Sequence, residues 1–241
     1  MSYGLSVTND KGSVIISSEY KVMVFSERGQ YRITSRYTDA VGTATVVFST
    51  SITTTEPPQV FTRYVSGLHP SMSVYISLTG GPGNWTGFNL ISAALGGSVT
   101  QNFLMDYVVC KFSNKNNPQP YGLQINDYQG NPVYSSSDRV VRYNKYAKNW
   151  TFTNGTTVIF YNSDVTVEND EFICLSSFDR GVTWYIGRSA FAGLRILEGG
   201  RQVLRMNINK LDRGSWWYQQ DQPTKFVVPV CKFPIERYYN N

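Results

Sequence analysis

The chain has 241 residues, and only 16% of them are charged, against about 25% in an ordinary soluble protein. Its 22 Lys and Arg against 17 Asp and Glu give a formal charge of +5, but the basic residues are scattered singly, which argues against a nucleic-acid footprint. No apolar run approaches the roughly 20 residues of a membrane span, and Met1-Ser2-Tyr3-Gly4 opens no signal peptide, so synthesis in the cytoplasm is expected.

Val, Ile, Thr, Tyr, Phe and Trp are plentiful, and Ala-, Glu- and Leu-rich windows are nearly absent, which points to an all-β fold. Along the chain, Leu5 and Val7 alternate as in a half-buried strand, and Asn9-Asp10-Lys11-Gly12 supplies a hairpin turn. Further on, Val74-Tyr75-Ile76-Ser77-Leu78 reads as a buried strand, Gly80-Gly81-Pro82-Gly83 as a loop that delivers Trp85, and Asn89 to Leu95 as a stretch able to hold a short helix. Val109-Cys110-Lys111-Phe112 is a closing strand, and the polar, Pro-containing stretch 113–120 reads as a linker.

The same series then begins again. Tyr121-Gly122-Leu123-Gln124-Ile125 aligns without gaps to Tyr3-Gly4-Leu5-Ser6-Val7 at an offset of 118 residues, and the match runs through Gly130, Val133 and Ser135-Ser136 to Val140. Glu171-Phe172-Ile173-Cys174-Leu175 looks like the Val74 strand seen a second time. Phe178 to Trp184 is a second loop carrying a Trp, and Val230-Cys231-Lys232-Phe233 repeats the closing strand. These features lead us to expect two tandem β-sandwich domains, jelly-roll-like and related by internal duplication, over residues 1–112 and 121–241. A single large β domain built from both halves is the alternative.

Met1-Ser2-Tyr3-Gly4-Leu5, Asn9-Asp10-Lys11-Gly12 and Ser17-Ser18, with their second copies at Tyr121 to Val141, carry a resemblance to a group of small structural proteins of tailed bacteriophages. The resemblance covers the opening hairpin of each copy. It implies a virion protein, in the tail or a tail-associated appendage, that acts through protein–protein interaction as a homo-oligomer and performs no catalysis.

The residues themselves carry little reactive chemistry. Cys110, Cys174 and Cys231 are odd in number and widely spaced, so buried structural thiols are expected, not a disulfide framework or a zinc site. His69, the only histidine, sits in a turn-like stretch with no nucleophile elbow to serve. Asp164, Glu168, Asp179, Glu198, Asp212 and Asp221 would have to converge in pairs to hydrolyse a polysaccharide, and Glu168-Asn169-Asp170-Glu171 reads as a solvated turn before it reads as a calcium loop. The three Asn-x-Thr sites at Asn84, Asn149 and Asn154 are read as turn and strand chemistry. No cofactor or metal is expected.

The aromatic run Trp216-Trp217-Tyr218, between Gly214 and Pro223, has no equivalent in the first copy and is the candidate binding loop, for a protein partner or for a glycan or receptor on the host surface. Trp85 and Trp184 are read as shared core.

Overall fold

The computed structural model describes residues 6–8, 10, 14–36, 38–67, 72–94, 100–114, 121–154, 158–178, 190–196, 202–210 and 227–239. Among these residues there are strands and one 3-10 turn, and no α-helix. Two short hairpins stand outside the main sheet: β1 (Ser6–Thr8) with β2 (Val14–Ser17), and β9 (Gln124–Asn126) with β10 (Pro132–Ser135).

The first half contributes β3 (Met23–Arg36), β4 (Thr38–Ile52), β5 (Gln59–Ser66), β6 (Met72–Gly81), β7 (Asn84–Ala94) and β8 (Asn102–Phe112). The second contributes β11 (Tyr143–Ala147), β12 (Trp150–Asn154), β13 (Val158–Val167), β14 (Glu171–Cys174), β15 (Ala190–Ile196), β16 (Gln202–Lys210) and β17 (Val228–Lys232). All thirteen join one curled antiparallel sheet in the order β11-β17-β14-β5-β8-β3-β4-β7-β6-β15-β16-β13-β12.

The curl makes the sheet a sandwich. β3 pairs with β8 along Met23 to Thr34, but meets β4 only beside their connection, from Thr34 to Arg36. Beyond that corner the strands separate, and β4 and β7 turn their inner faces back onto β3 and β8. Phe88 of β7 packs edge-on against Tyr31 of β3 and Tyr107 of β8, each at 5.7 Å. Where β3 and β4 have parted, the buried Glu27 carboxylate ties them together, accepting from Ser49 N at 2.8 Å, Ser49 Oγ at 2.5 Å and Tyr107 Oη at 3.0 Å. A second corner lies at the far end, where β11 and β12, on opposite edges of the sheet, are separated by Lys148 and Asn149 alone.

Strand alternation fills two cores. Phe103, Met105, Tyr107 and Val109 of β8 face the inner core, together with Val60, Ile76, Leu90, Ile173, Leu194 and Val230. Val108 and Cys110 point the other way, into a second cluster with Phe61, Phe172, Cys174 and Cys231. A register shift between Phe25 and Glu27 lets β3 serve both, with Phe25 in the outer cluster and Tyr31 and Ile33 in the inner one. Phe233 and Tyr238 close the outer cluster, their rings 5.2 Å apart, and Tyr238 Oη donates to Val140 O at 2.9 Å.

The repeat at 118 residues has a structural counterpart. Ser6↔Ser17, Val7↔Ile16 and Thr8↔Val14 in the first hairpin become Gln124↔Ser135, Ile125↔Tyr134 and Asn126↔Pro132 in the second. Phe25 pairs with Cys110, and Tyr143 with Cys231, so β8 and β17 are equivalent closing strands. The order β3-β8-β5 is mirrored by β11-β17-β14, and the two runs meet where Phe61 pairs with Cys174. The segments around Met23 and Val141 also cross antiparallel, with Val141 N donating to Met23 O at 2.9 Å.

Among the described residues, the long strands of both halves share one sheet. β14 and β15 of the second half extend the two edges of the first half's sheet, at β5 and β6. β14 pairs with β5, and the Val74 strand lies in β6 between β7 and β15. One detail of the sequence reading changes. Asn89 to Ala94 forms no helix but continues β7, with Leu90 and Ser92 buried and Asn89 exposed in the two-residue period of a strand. No helix of the described residues is long and apolar enough to cross a membrane.

Candidate binding surfaces

The three cysteines, distant in sequence, meet in the outer cluster as buried free thiols. Burial pushes all three upward: Cys110 well above its ordinary range, with Cys231 and Cys174 adding to the effect, and Cys231 up to about 12. Cys174 is raised by the same burial, although Ser176 and Ser177 hydrogen-bond to it. Thiols held protonated in this way are packing groups.

The acidic turn before β14 is occupied by its own protein. Glu171 is 2% exposed, and its Oε2 accepts from Lys145 Nζ at 2.7 Å and from Glu168 N at 2.9 Å. Asp170 accepts from Lys232 Nζ at 2.7 Å, and this bond holds its carboxyl below the usual range. The turn thus locks β11, β14 and β17 together, and Glu171 is buried where a solvated position was expected. Asp164 accepts from Asn149 Nδ2 at 2.6 Å beside the β11–β12 corner. No group of three or more His, Cys, Asp or Glu among the described residues has metal-binding geometry.

A cleft of about 470 Å³ opens at the end of the sandwich. Its lining joins the apolar Met23, Leu78, Trp85 and Phe112 to Glu56, Pro57 and Pro58 and to Gln59, Ser176 and Ser177. Local sequence explains the shape. Gly80 and Gly83, at φ 88° and 84°, turn β6 into β7 and bring Trp85 to the start of that strand. A Cβ on Gly80 would lie 2.1 Å from Asn84 O.

Trp85 Nε1 donates to Thr54 O at 3.0 Å, and Thr54 Oγ1 donates to Glu56 O at 2.8 Å, which ties the indole to the 54–56 segment. Among the polar lining residues, Ser176 Oγ accepts from Val60 N at 2.9 Å, Ser177 Oγ donates to Cys174 O at 2.9 Å, and Tyr143 Oη donates to Gln59 Oε1 at 2.8 Å. Lys21 Nζ stands 3.6 Å from Glu56 Oε1. The sequence reading placed Trp85 in the core; the ring does pack against the inner cluster, and its remaining surface lines the cleft. Its delivery by a Gly-Gly-Pro-Gly turn was the signal for this second role.

The second surface is the β9–β10 hairpin. Its turn is built by Asp127, whose Oδ1 accepts from Gln129 N at 2.9 Å and Asn131 N at 2.8 Å, with Gly130 at φ 87°. The hairpin is anchored through buried Ile125 and Val133, and Val22 N donates to Val133 O at 3.2 Å. Tyr121 and Tyr128 are left 88% and 94% exposed, with Leu123 exposed as well.

The candidate loop Trp216, Trp217 and Tyr218 lies outside the described residues, as do His69, Asp179, Trp184, Glu198, Asp212 and Asp221. Comparison with protein-family models, with curated proteins and with solved structures finds no match.

Proposed function

We propose that this chain is a structural protein of a bacteriophage particle, in the tail or a tail-associated appendage, which works by binding other virion proteins and copies of itself and catalyses nothing. The observation that carries the reading is the repeated Tyr-Gly-Leu hairpin, which in its second copy holds Tyr121 and Tyr128 almost wholly in solvent. Aromatic rings presented in this way are typical anchors of protein interfaces, and large exposed apolar groups on a folded surface call for a partner. The weakly charged surface suits permanent contact with neighbours. The protein would be made in the host cytoplasm and remain in the particle.

The duplication belongs to the same proposal. Two copies of one hairpin-led sandwich unit, fused edge to edge, account for the matched hairpin registers and the mirrored strand order, and a duplicated unit suits assemblies built around a symmetry axis.

Peptide mass spectrometry of purified particles tests the location, and many copies per particle are expected. Absence of the chain from particles would sink the proposal. A Tyr121→Ser, Tyr128→Ser double variant should keep its circular dichroism spectrum, because both rings are exposed, and should enter particles at least about tenfold less well, equivalent to about 1.4 kcal/mol of lost contact.

A further inference from the structure

We infer that the β1–β2 hairpin is an arm by which one copy of this chain binds a second copy, seated beside Val140. This rests on the assembly reading above and adds to it the element and the seat that self-association uses.

The chain carries its own template for such a contact. Its β9–β10 hairpin is docked on the first half of the same molecule: Val22 N donates to Val133 O at 3.2 Å, and Ile125, Val133 and Ser135 are 6%, 2% and 1% exposed. Val22, the seat, is buried as well. Ser113 N closes the other side of the seat, donating to Val22 O at 2.9 Å.

The β1–β2 hairpin matches the docked one in register. It also matches in its closing turn, where Glu19 N donates to Ser17 Oγ at 3.2 Å as Ser137 N donates to Ser135 Oγ at 3.3 Å. Its burial differs. Val7, the counterpart of Ile125, is 39% exposed, and Ser6 and Thr8 beside it are exposed too. Val140, the counterpart of Val22, is only half-buried, although Tyr238 Oη covers its carbonyl at 2.9 Å much as Ser113 N covers that of Val22. Arm and seat thus both keep open the apolar surface that their counterparts bury against each other.

Two differences between the copies explain why the arm is not held down. Asp138 fastens the second hairpin, its Oδ2 accepting from Ser113 Oγ at 2.5 Å and from Ser135 N at 2.9 Å. At the corresponding places stand Tyr20 and Pro234, which have no carboxylate and no hydroxyl to offer each other in this way. Tyr20 is instead 72% exposed, an aromatic ring of the kind that anchors interfaces. The template also fixes the occupant: a hairpin of this register fits a seat of this kind, and a second copy supplies both. Each copy brings one arm and one seat, so two copies satisfy both at once in a closed pair.

The test is sedimentation velocity on the full chain from low to high micromolar concentration, where a concentration-dependent dimer is expected. Val7→Lys changes a side chain that already meets solvent, so it should leave thermal melting as it is and weaken the dimer at least about tenfold. Val140→Lys should weaken it too, and the pair together little more than either alone, since both remove one contact. Because Val140 also packs beside the 234–238 turn, hydrogen exchange on the unaltered chain gives a second readout: the amides of residues 138–142 should gain protection as the dimer forms. A chain that stays monomeric, a dimer indifferent to Val7→Lys, or a dimer whose seat amides do not change would each overturn the inference. A chain found in particles but monomeric in solution would remove the arm and leave the assembly reading standing. A chain absent from particles that still pairs through Val7 would do the reverse.

Discussion

At the residue scale, the three thiols make a firm prediction. A thiol whose ionisation is pushed up by folding contributes stability that is intact below its ordinary value and is lost as pH rises toward the folded value. For Cys231 that window runs from about 9 to about 12, and Cys110 and Cys174 shift in the same direction. Stability to denaturant should therefore hold at neutral pH and fall above about pH 9, by up to about 1.4 kcal/mol per pH unit for each thiol that ionises only on unfolding. Replacing Cys110, Cys174 and Cys231 together by Ala should flatten that slope while lowering the midpoint at pH 7. A thiol reagent at pH 7 should label none of the three until denaturant is added; rapid labelling of the native chain would contradict the burial.

Sequence anticipated these thiols as inert packing groups because each sits in an apolar, alternating segment. That they share one cluster was not legible, since β8, β14 and β17 are brought together by long-range pairings, Phe61 with Cys174, Phe172 with Cys231 and Phe61 with Val108, with no local signature. Trp85 illustrates the same limit: periodicity reports that a side chain is partly buried, and cannot report that the space beside it is left empty.

At the element scale, the hairpins were the most legible feature, because alternation, a turn residue and a repeat all agreed at the same positions. The matched registers at 118 residues follow from side-chain patterns that recur with the turns. The putting together of β5 with β14 and of β6 with β15 was not legible, since edge-to-edge pairing is chosen by the collapsed molecule. The short helix at Asn89 failed for a related reason: in that window a single turn of apolar residues fits either period, and neighbours on both sides settled it as a strand.

The β9–β10 hairpin offers the element-scale prediction. A two-stranded hairpin is marginal by itself, and this one is held by Ile125 and Val133. Ile125→Asp, which buries an unpaired charge, should release the hairpin and cost about 2–4 kcal/mol. In limited proteolysis the first cuts should then fall within 121–135, with the rest of the sheet protected; an unchanged digestion pattern would show that the hairpin does not depend on this anchor.

At the scale of the whole molecule, the inner core mixes residues of both halves without a seam, from Val60 and Ile76 to Ile173 and Leu194. The two halves should unfold together. Calorimetric and van't Hoff enthalpies should agree within error, and Phe61→Ala, where β5 pairs with β14 and 5.1 Å from Phe233, should lower one shared midpoint at a cost of about 3–5 kcal/mol. Two resolved transitions, with only one moved by this substitution, would mean that the halves are energetically independent.

Because β14 and β15 are what cover the flanks of the first half, the order of synthesis matters. When the ribosome has released only the first six long strands, β5 and β6 stand with unsatisfied backbone groups along their outer sides, and such borders invite pairing with any neighbouring chain. The covering strands begin 59 and 78 residues after Phe112, which at about 5–20 residues per second is a delay of several seconds. During that interval the nascent polypeptide is most open to aggregation, or to exchanging strands with another copy on the same message.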